Sequence, residues 1–214
     1  MLIFYTANTY TGKQEEFVGS MSRDLERLKA AIKEIYPIPG QNLERLLKQM
    51  KEVSYGRNEM ITAKGEVERY LYFVLEGYQR AYYLKDNKEH VIAFSRPYAF
   101  SGMPLSFLNQ TPSPYYLSCI TPSRLLRMPK EQLDRLMAQD REVEQLIRRA
   151  TEKVFAEVSQ RYAELMAMSI EERFRQFTSR DPHMLQEVPH KYLASYLNMD
   201  PTNFSKLLGK MRIG

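Results

Sequence analysis

Hydrophobic periodicity changes twice along the 214 residues. Apolar residues first recur every three or four positions, at Leu25, Leu28, Ile32 and Ile35, then at Leu43, Leu46, Leu47 and Met50. This spacing stacks them on one helical face and predicts helices over 22–35 and 42–50. Ser22 is the expected N-cap of the first helix, and Tyr36-Pro-Ile-Pro-Gly40 ends it. From Lys51 the period falls to two. Strands are predicted at 52–55, 59–62, 70–75, 79–84, 90–94, 115–120 and 123–128, separated by Gly, Pro and Asx turns such as Glu76-Gly77 and Asp86-Asn87. Short, evenly spaced strands of this kind build a β-barrel or jelly roll. A single helical turn around Gly102–Phe107 interrupts them.

At Lys130 the helical period returns, with helices predicted over 130–138 and 141–166. In the longer one Val143, Ile147, Ala150, Val154, Val158, Tyr162, Leu165 and Met168 step by three and four, the seam of a coiled coil. The seam has two possible uses, packing on its own barrel or pairing with a second copy. The two-fold pairing through residues 141–168 is the favoured expectation, with the seam fraying near Arg161. Ser169-Ile-Glu-Glu172 is a capping box that restarts a helix over 170–178. Met168-Ser169 therefore forms a hinge. Asp181-Pro182 breaks the chain, and residues 183–188 are expected to run extended.

The last stretch, Val188 to Met211, has the spacing of two short helices joined by a tight turn. Leu193, Ala194 and Leu197 face inward from the first helix, and Phe204 and Leu207 from the second. Asn198 stands where the turn calls for positive φ, which Asn tolerates. Asp200 can cap the second helix and Pro201 suits its first turn. Thr202, Asn203, Ser205, Lys206 and Lys210 remain on the outer face, where they could meet base edges and phosphates. An ordinary helical hairpin is the plain rival of this reading.

Composition narrows the picture. A 43% hydrophobic content allows a real core, and the formal net charge is +5. From Val188 onward the cations Lys191, Lys206, Lys210 and Arg212 face one carboxylate, Asp200. That balance suits an anionic partner. The single cysteine, Cys119, cannot form an internal disulfide and sits in an apolar strand, where a buried thiol is expected. No apolar run approaches the roughly 18 residues of a membrane span, so a cytoplasmic protein is expected. Met1–Tyr5 could form a short strand, and Thr6–Gly12 a loop. Met21, just before the first clear helix, is an alternative start of translation.

The barrel and the terminal helices together resemble the Crp/Fnr family of bacterial transcription regulators. Lys64-Gly-Glu-Val-Glu-Arg-Tyr-Leu-Tyr-Phe-Val-Leu-Glu-Gly77 is similar to that family's barrel signature, and Phe100-Ser-Gly102 to the start of its phosphate-binding cassette. The resemblance covers about residues 40–212. Val188-Pro with Tyr192-Leu-Ala-Ser-Tyr-Leu197 looks most like the Bacteroidetes type. The implied fold is α+β: a cyclic-nucleotide-binding-type jelly roll with flanking helices, a long dimerisation helix and a winged-helix-type helix-turn-helix. The implied divisions are an N-terminal extension and helix (1–40), a sensor barrel (41–129), a linker and dimerisation helix (130–168) and a DNA-binding domain (169–214). The resemblance also implies a homodimer, a palindromic operator in double-stranded DNA, and RNA polymerase as a partner. By position within it, Pro201, Thr202 and Lys206 face bases, with Asn203 and Ser205 beside them. Lys191, Lys210 and Arg212 are candidates for phosphate contacts.

Two departures bear on function. Nucleotide-binding members place a Glu after the cassette glycine and an Arg at the next strand, for the ribose and the cyclic phosphate. Here Met103-Pro104 and Ser113-Pro-Tyr-Tyr116 stand in those places. A buried phosphate without a cation is costly, so cyclic AMP is not expected to bind. A more apolar effector is expected at Tyr72, Phe94, Phe100, Gly102, Met103, Tyr115 and Tyr116 if these residues do not simply fill the barrel. Arg80 is the nearest strand cation, although an outward, solvated Arg is its plainer reading. The family often adds a β-hairpin wing after the recognition helix, and the sequence departs from that pattern, running to Gly214. His90, His183 and His190 lack metal-ligand spacing, and no catalytic constellation is present, so neither a cofactor nor an enzyme is expected. The expected function is a sequence-specific regulator of the Crp/Fnr type. The alternative is a ligand- or protein-binding module whose terminal helices no longer read DNA.

Overall fold

The computed structural model describes residues 10–211, with side chains over 23–211. The expected strand at Met1–Tyr5 lies outside the described residues. Helix α1 spans Tyr10–Ile35. Tyr10–Gly12, expected in a loop, are therefore helical, and Ser22 lies inside the helix instead of capping it. No proline interrupts this stretch, and isolated Gly and Ser residues lower helix stability without ending a helix. Helix α2 covers Gly40–Lys48. Its apolar face and that of α1 are deeply buried, with Leu28, Ile32, Leu43 and Leu46 at 0–1% exposure.

Eight strands follow: β1 (Lys51–Tyr55), β2 (Met60–Thr62), β3 (Tyr70–Glu76), β4 (Gln79–Lys85), β5 (Lys88–Ser95), β6 (Phe100–Ser101), β7 (Tyr116–Cys119) and β8 (Ser123–Pro129). They form two four-stranded sheets, ordered β1-β8-β3-β6 and β2-β7-β4-β5, with antiparallel pairing throughout. β6 has no counterpart among the sequence-predicted strands, being too short to show a period. Asp86 and Asn87 both take positive φ (51° and 58°) in the β4–β5 hairpin, the backbone that a two-residue turn with the right twist requires. Helix α3 (Pro104–Asn109) crosses between β6 and β7. Cys119 is fully buried, and burial raises its thiol pKa.

Helices α4 (Lys130–Gln139) and α5 (Arg141–Ala167) follow the sandwich. Asp140 caps α5 through the backbone N–H groups of Glu142 and Val143, and Asn42 of α2 donates to both carboxylate oxygens of Asp140 at 2.9 Å. This ties α5 to α2. The expected seam on α5 divides in two. Val143 and the half-buried Ile147 pack, together with Leu146, in the chain's own core beside α1 and α2, and Ala150 is also buried, so the first half is not available for a second copy. Beyond Ala150 the seam opens to solvent at Val154 (37%), Val158 (62%) and Tyr162 (66%), while Leu165 and Met168 are half-buried; Phe155 (74%) and Met166 (72%), which are not seam positions, are exposed as well.

Ser169 caps helix α6 (Ile170–Arg180) in the expected capping box, with the Glu172 carboxylate accepting from Ser169 N at 2.8 Å. Those bonds hold the Glu172 carboxyl below its ordinary pKa. Residues 183–188 are not extended. They contain a helical turn, α7 (Met184–Glu187), closed by Val188 N on Met184 O at 3.0 Å, with Met184 and Val188 both buried. Helices α8 (His190–Tyr196) and α9 (Pro201–Met211) complete the described chain. A second core joins α6–α9 to the sandwich through Tyr82, Val91 and Ile120.

Candidate functional site

Helices α8 and α9 meet across a tight turn. Asn198 has φ 51°, and Met199 N closes the turn on Ala194 O at 3.0 Å. Leu193 and Ala194 are fully buried, so α9 can cross closely over the small Ala194. Asp200 Oδ1 accepts from Thr202 N at 2.7 Å, and this contact holds its carboxyl below the ordinary value. Phe204 is fully buried, edge-on to Phe174 of α6. Leu208, rather than the half-buried Leu207, supplies the second buried position, because it lies one turn after Phe204 on the same helical face. Pro201, Thr202, Asn203, Ser205, Lys206 and Lys210 lie exposed on the outer face of α9, and Lys191 is exposed on α8. Arg212 falls outside the described residues.

The inner side of α8 is docked on β5. Ser195 Oγ accepts from Val91 N at 3.0 Å and donates to Glu89 O at 2.9 Å, so one hydroxyl satisfies both backbone groups on the open edge of that sheet. Arg80 is neither solvated nor in a cavity. It is 4% exposed, pairs with Glu89 through Nε (3.1 Å) and Nη2 (3.2 Å), and lies between the rings of Tyr82 and Tyr192. Its sequence signal was ambiguous because a strand cation reads the same whether a neighbouring element covers it or not.

A cleft of about 310 Å³ opens between the sandwich and α5. Phe94, Phe100, Gly102 and Met103 line it, together with Ile92, Ile147, Ala150, Val154, Ser101, Arg161 and Tyr196. Three of the expected effector contacts do not. Tyr72 is buried with Val74 and Leu125, Tyr116 stacks on Tyr82 at 5.1 Å, and Tyr115 packs beside Ala81 and Leu117. Arg80 is the fourth expected contact outside the cleft. Packing across the sandwich decides this, and no local pattern marks it: Tyr70 and Leu71 line the cleft, whereas Tyr72 on the same strand is enclosed in the sandwich. Met103 is 4% exposed and packs against Ala81 and Leu117. Ser113 Oγ is occupied by its own loop, accepting from Tyr115 N and donating to Tyr115 O.

The only charged side chains lining the cleft among the described residues are Glu157 and Arg161. Arg161 stacks on Tyr196, 3.6 Å from its ring centre, and an Nη2 hydrogen donates to Tyr196 O. Burial lowers the pKa of this guanidinium. The sequence carried a trace of the site in Arg161, which breaks the apolar seam between Val158 and Tyr162. Among the described residues no group of three or more His, Cys, Asp or Glu is placed to hold a metal ion. Nor is any helix among them long and apolar enough to cross a membrane.

Residues 52–140 match the family model described as cyclic nucleotide-binding domain. No curated protein matches the chain. Among solved structures, FixK2 from Bradyrhizobium japonicum is similar at a TM-score of 0.69 and 19% identity, covering 77% of this chain and 85% of that one. The c-di-GMP-responsive global regulator CLP of Xanthomonas campestris aligns at TM-score 0.61 and 17% identity, over 82% and 92% of the two chains. The catabolite activator protein of Thermus thermophilus gives 0.54 and 17%, over 83% and 85%. At these identities the likeness is one of fold, an N-terminal cyclic-nucleotide-binding-type β-sandwich followed by helices, as in Crp/Fnr-type regulators.

Proposed function

We propose that the protein is a homodimeric, sequence-specific DNA-binding transcription regulator of the Crp/Fnr type. In this reading residues 41–129 sense, 130–168 pair two copies and 169–214 read DNA as a winged-helix-type unit of the Bacteroidetes-like branch. The observation that carries it is α9, whose inner side is fixed by buried Phe204 and Leu208 while Thr202, Asn203, Ser205, Lys206 and Lys210 stand exposed on its outer side. Thr202 and Lys206 can reach base edges in a major groove, and Lys191 and Lys210 can neutralise phosphates. The exposed stripe Phe155, Val158, Tyr162 and Met166 supports the second copy, since a symmetric operator needs a symmetric protein.

The cleft supports a sensor that does not take a cyclic nucleotide. Hydrophobic Met103 and internally bonded Ser113 occupy the positions where a ribose and a phosphate would need partners. RNA polymerase is the partner that a promoter-bound regulator would meet. Selection of genomic fragments by the purified full chain tests the reading. A palindromic motif is expected to be enriched. No enrichment at low salt overturns it in favour of a binding module whose terminal helices do not read DNA.

A further inference from the structure

The cleft contains two polar groups whose partners are incomplete. Ser101 is 7% exposed, and its Oγ has no hydrogen-bond partner among the described residues. That oxygen is itself shut off from solvent, so although Ser101 lines the cleft its hydroxyl sits behind the wall. Arg161 is the second. It is half-buried, and among the described residues no carboxylate lies within ion-pair distance of it. Its neighbour Arg180, by contrast, is paired with Glu164 and Asp181. One Arg161 N–H is used by Tyr196 O and the guanidinium face by the Tyr196 ring. The other donors on the fork remain for a ligand. Glu157, one turn earlier on the rim, is exposed and out of ion-pair reach.

Between these two groups the walls are apolar: Phe94, Phe100, Met103, Ile147 and Val154. A guanidinium at the mouth of an apolar cleft selects for a planar, singly charged acceptor, because a carboxylate takes two parallel N–H bonds while its hydrocarbon part fills the interior. A neutral apolar molecule would leave the half-buried charge unpaired. A cyclic nucleotide would bring a base and ribose with many polar atoms to walls that cannot bond them.

We propose that this cleft binds a small amphipathic carboxylate, with the head group on Arg161 and the apolar body against Met103, Phe94 and Val154. The proposal names the ligand class of the sensor and so rests on the sensor reading above. The head group would lie between α5 and Tyr196 of α8, at the junction of the sandwich with the terminal helices. A bound ligand therefore touches both parts of the chain.

Titration calorimetry on the full chain without DNA tests it, using octanoate, 1-octanol and octylammonium below their micelle thresholds. Octanoate is expected to bind one molecule per protomer, about tenfold or more tighter than octanol, and octylammonium weakest. Arg161→Gln should bring octanoate down to the octanol affinity and leave octanol unchanged. Ser101→Ala should leave octanoate binding unchanged, because its hydroxyl is shut off from the cleft and the head group lies on Arg161. Val154→Trp, at a partly exposed position that tolerates bulk, should abolish binding of both. Absent octanoate binding, an affinity equal to that of octanol, or undiminished binding in Val154→Trp overturns the proposal. The preference among the three probes is read on the unaltered chain, so an unstable variant does not blunt the test. No DNA enters the measurement, so its failure leaves the α9 reading standing. A failed fragment selection likewise leaves an octanoate result intact.

Discussion

The guanidinium of Arg80 lies 4.1 Å from the ring centre of Tyr192, so a strand of the sandwich grips the first of the two terminal helices through a buried cation. Glu89 on the adjacent strand neutralises it in a two-pronged pair. Ser195, one helical turn beyond Tyr192, closes the same edge. Replacing Arg80 with Met removes the charge and strands Glu89, which keeps some water. The expected loss is about 2 kcal/mol in urea unfolding, below the range for a fully buried pair. If the contact also sets the position of the terminal helices, the variant will be cut faster at Met168–Ser169 in limited proteolysis. An unchanged cleavage rate with lowered stability would confine Arg80 to the core.

Much of this arrangement could be read from the residues, and the unread part has a consistent cause. The period-two runs and the turn residues between them located seven strands to within about two residues. Asn198 and the Ser169–Glu172 box were legible because turn and cap chemistry is local. The cleft was not. Tyr72, Tyr115 and Tyr116 have the same residue type and setting as true cleft residues, and only packing across the sandwich decides which of them line it. Helix α5 shows the same limit. Val143 and Val158 lie on the same predicted seam, but Val143 is fully buried in its own chain and Val158 is 62% exposed. Long-range packing chooses between such residues, and no local pattern records that choice.

Two glycines with similar backbone angles should respond very differently to alanine. Gly77 (φ +88°) would place a Cβ 2.4 Å from both Pro122 O and Ser123 Oγ, while Gly65 (φ +91°) would meet nothing within 4 Å. Gly65→Ala should cost about 1–2 kcal/mol, the penalty of positive φ alone. Gly77→Ala adds a collision with backbone and should lose at least about 3 kcal/mol. Equal denaturation midpoints for the two variants would contradict this account.

The buried Glu68 makes stability depend on pH. Burial raises its carboxyl pKa above the ordinary 4.5, against the hydrogen bonds from Thr62 Oγ1 (2.5 Å) and Tyr70 N (3.1 Å). The folded chain thus holds this proton more tightly than the unfolded chain. Between 4.5 and the raised folded value, stability falls as pH increases. Glu68→Gln removes the titration and can keep both bonds. Chemical denaturation from pH 4 to 7 should show the Gln variant gaining on the unaltered chain as pH rises. A constant difference would mean that Glu68 does not titrate with folding.

The exposed stripe on α5 predicts a pairing defect without a folding defect. Phe155 and Tyr162 are 74% and 66% exposed in the single chain, so Phe155→Glu and Tyr162→Glu should leave the thermal unfolding of the monomer nearly unchanged. In a dimer each would bring two like charges together at the interface. Sedimentation should therefore move from dimer to monomer at micromolar concentration. Dimers that persist in the double variant would place the interface elsewhere.

Lys206 and Lys191 should separate sequence reading from simple attraction to DNA. Lys206 is exposed two residues after buried Phe204, on the outward face of α9, whereas Lys191 is exposed on α8 with its Nζ 4.8 Å from the Tyr192 ring centre. A side chain bonded to a base edge discriminates among sequences by about 1–3 kcal/mol, and a phosphate contact does not discriminate. Lys206→Ala is therefore expected to weaken the selected operator by about tenfold or more and to leave random DNA nearly unaffected. Lys191→Ala should weaken both alike and reduce the slope of log affinity against log salt by about one. Fluorescence anisotropy on both duplexes across a salt series reads both effects. Equal losses on operator and random DNA for Lys206→Ala would move that lysine from the bases to the backbone.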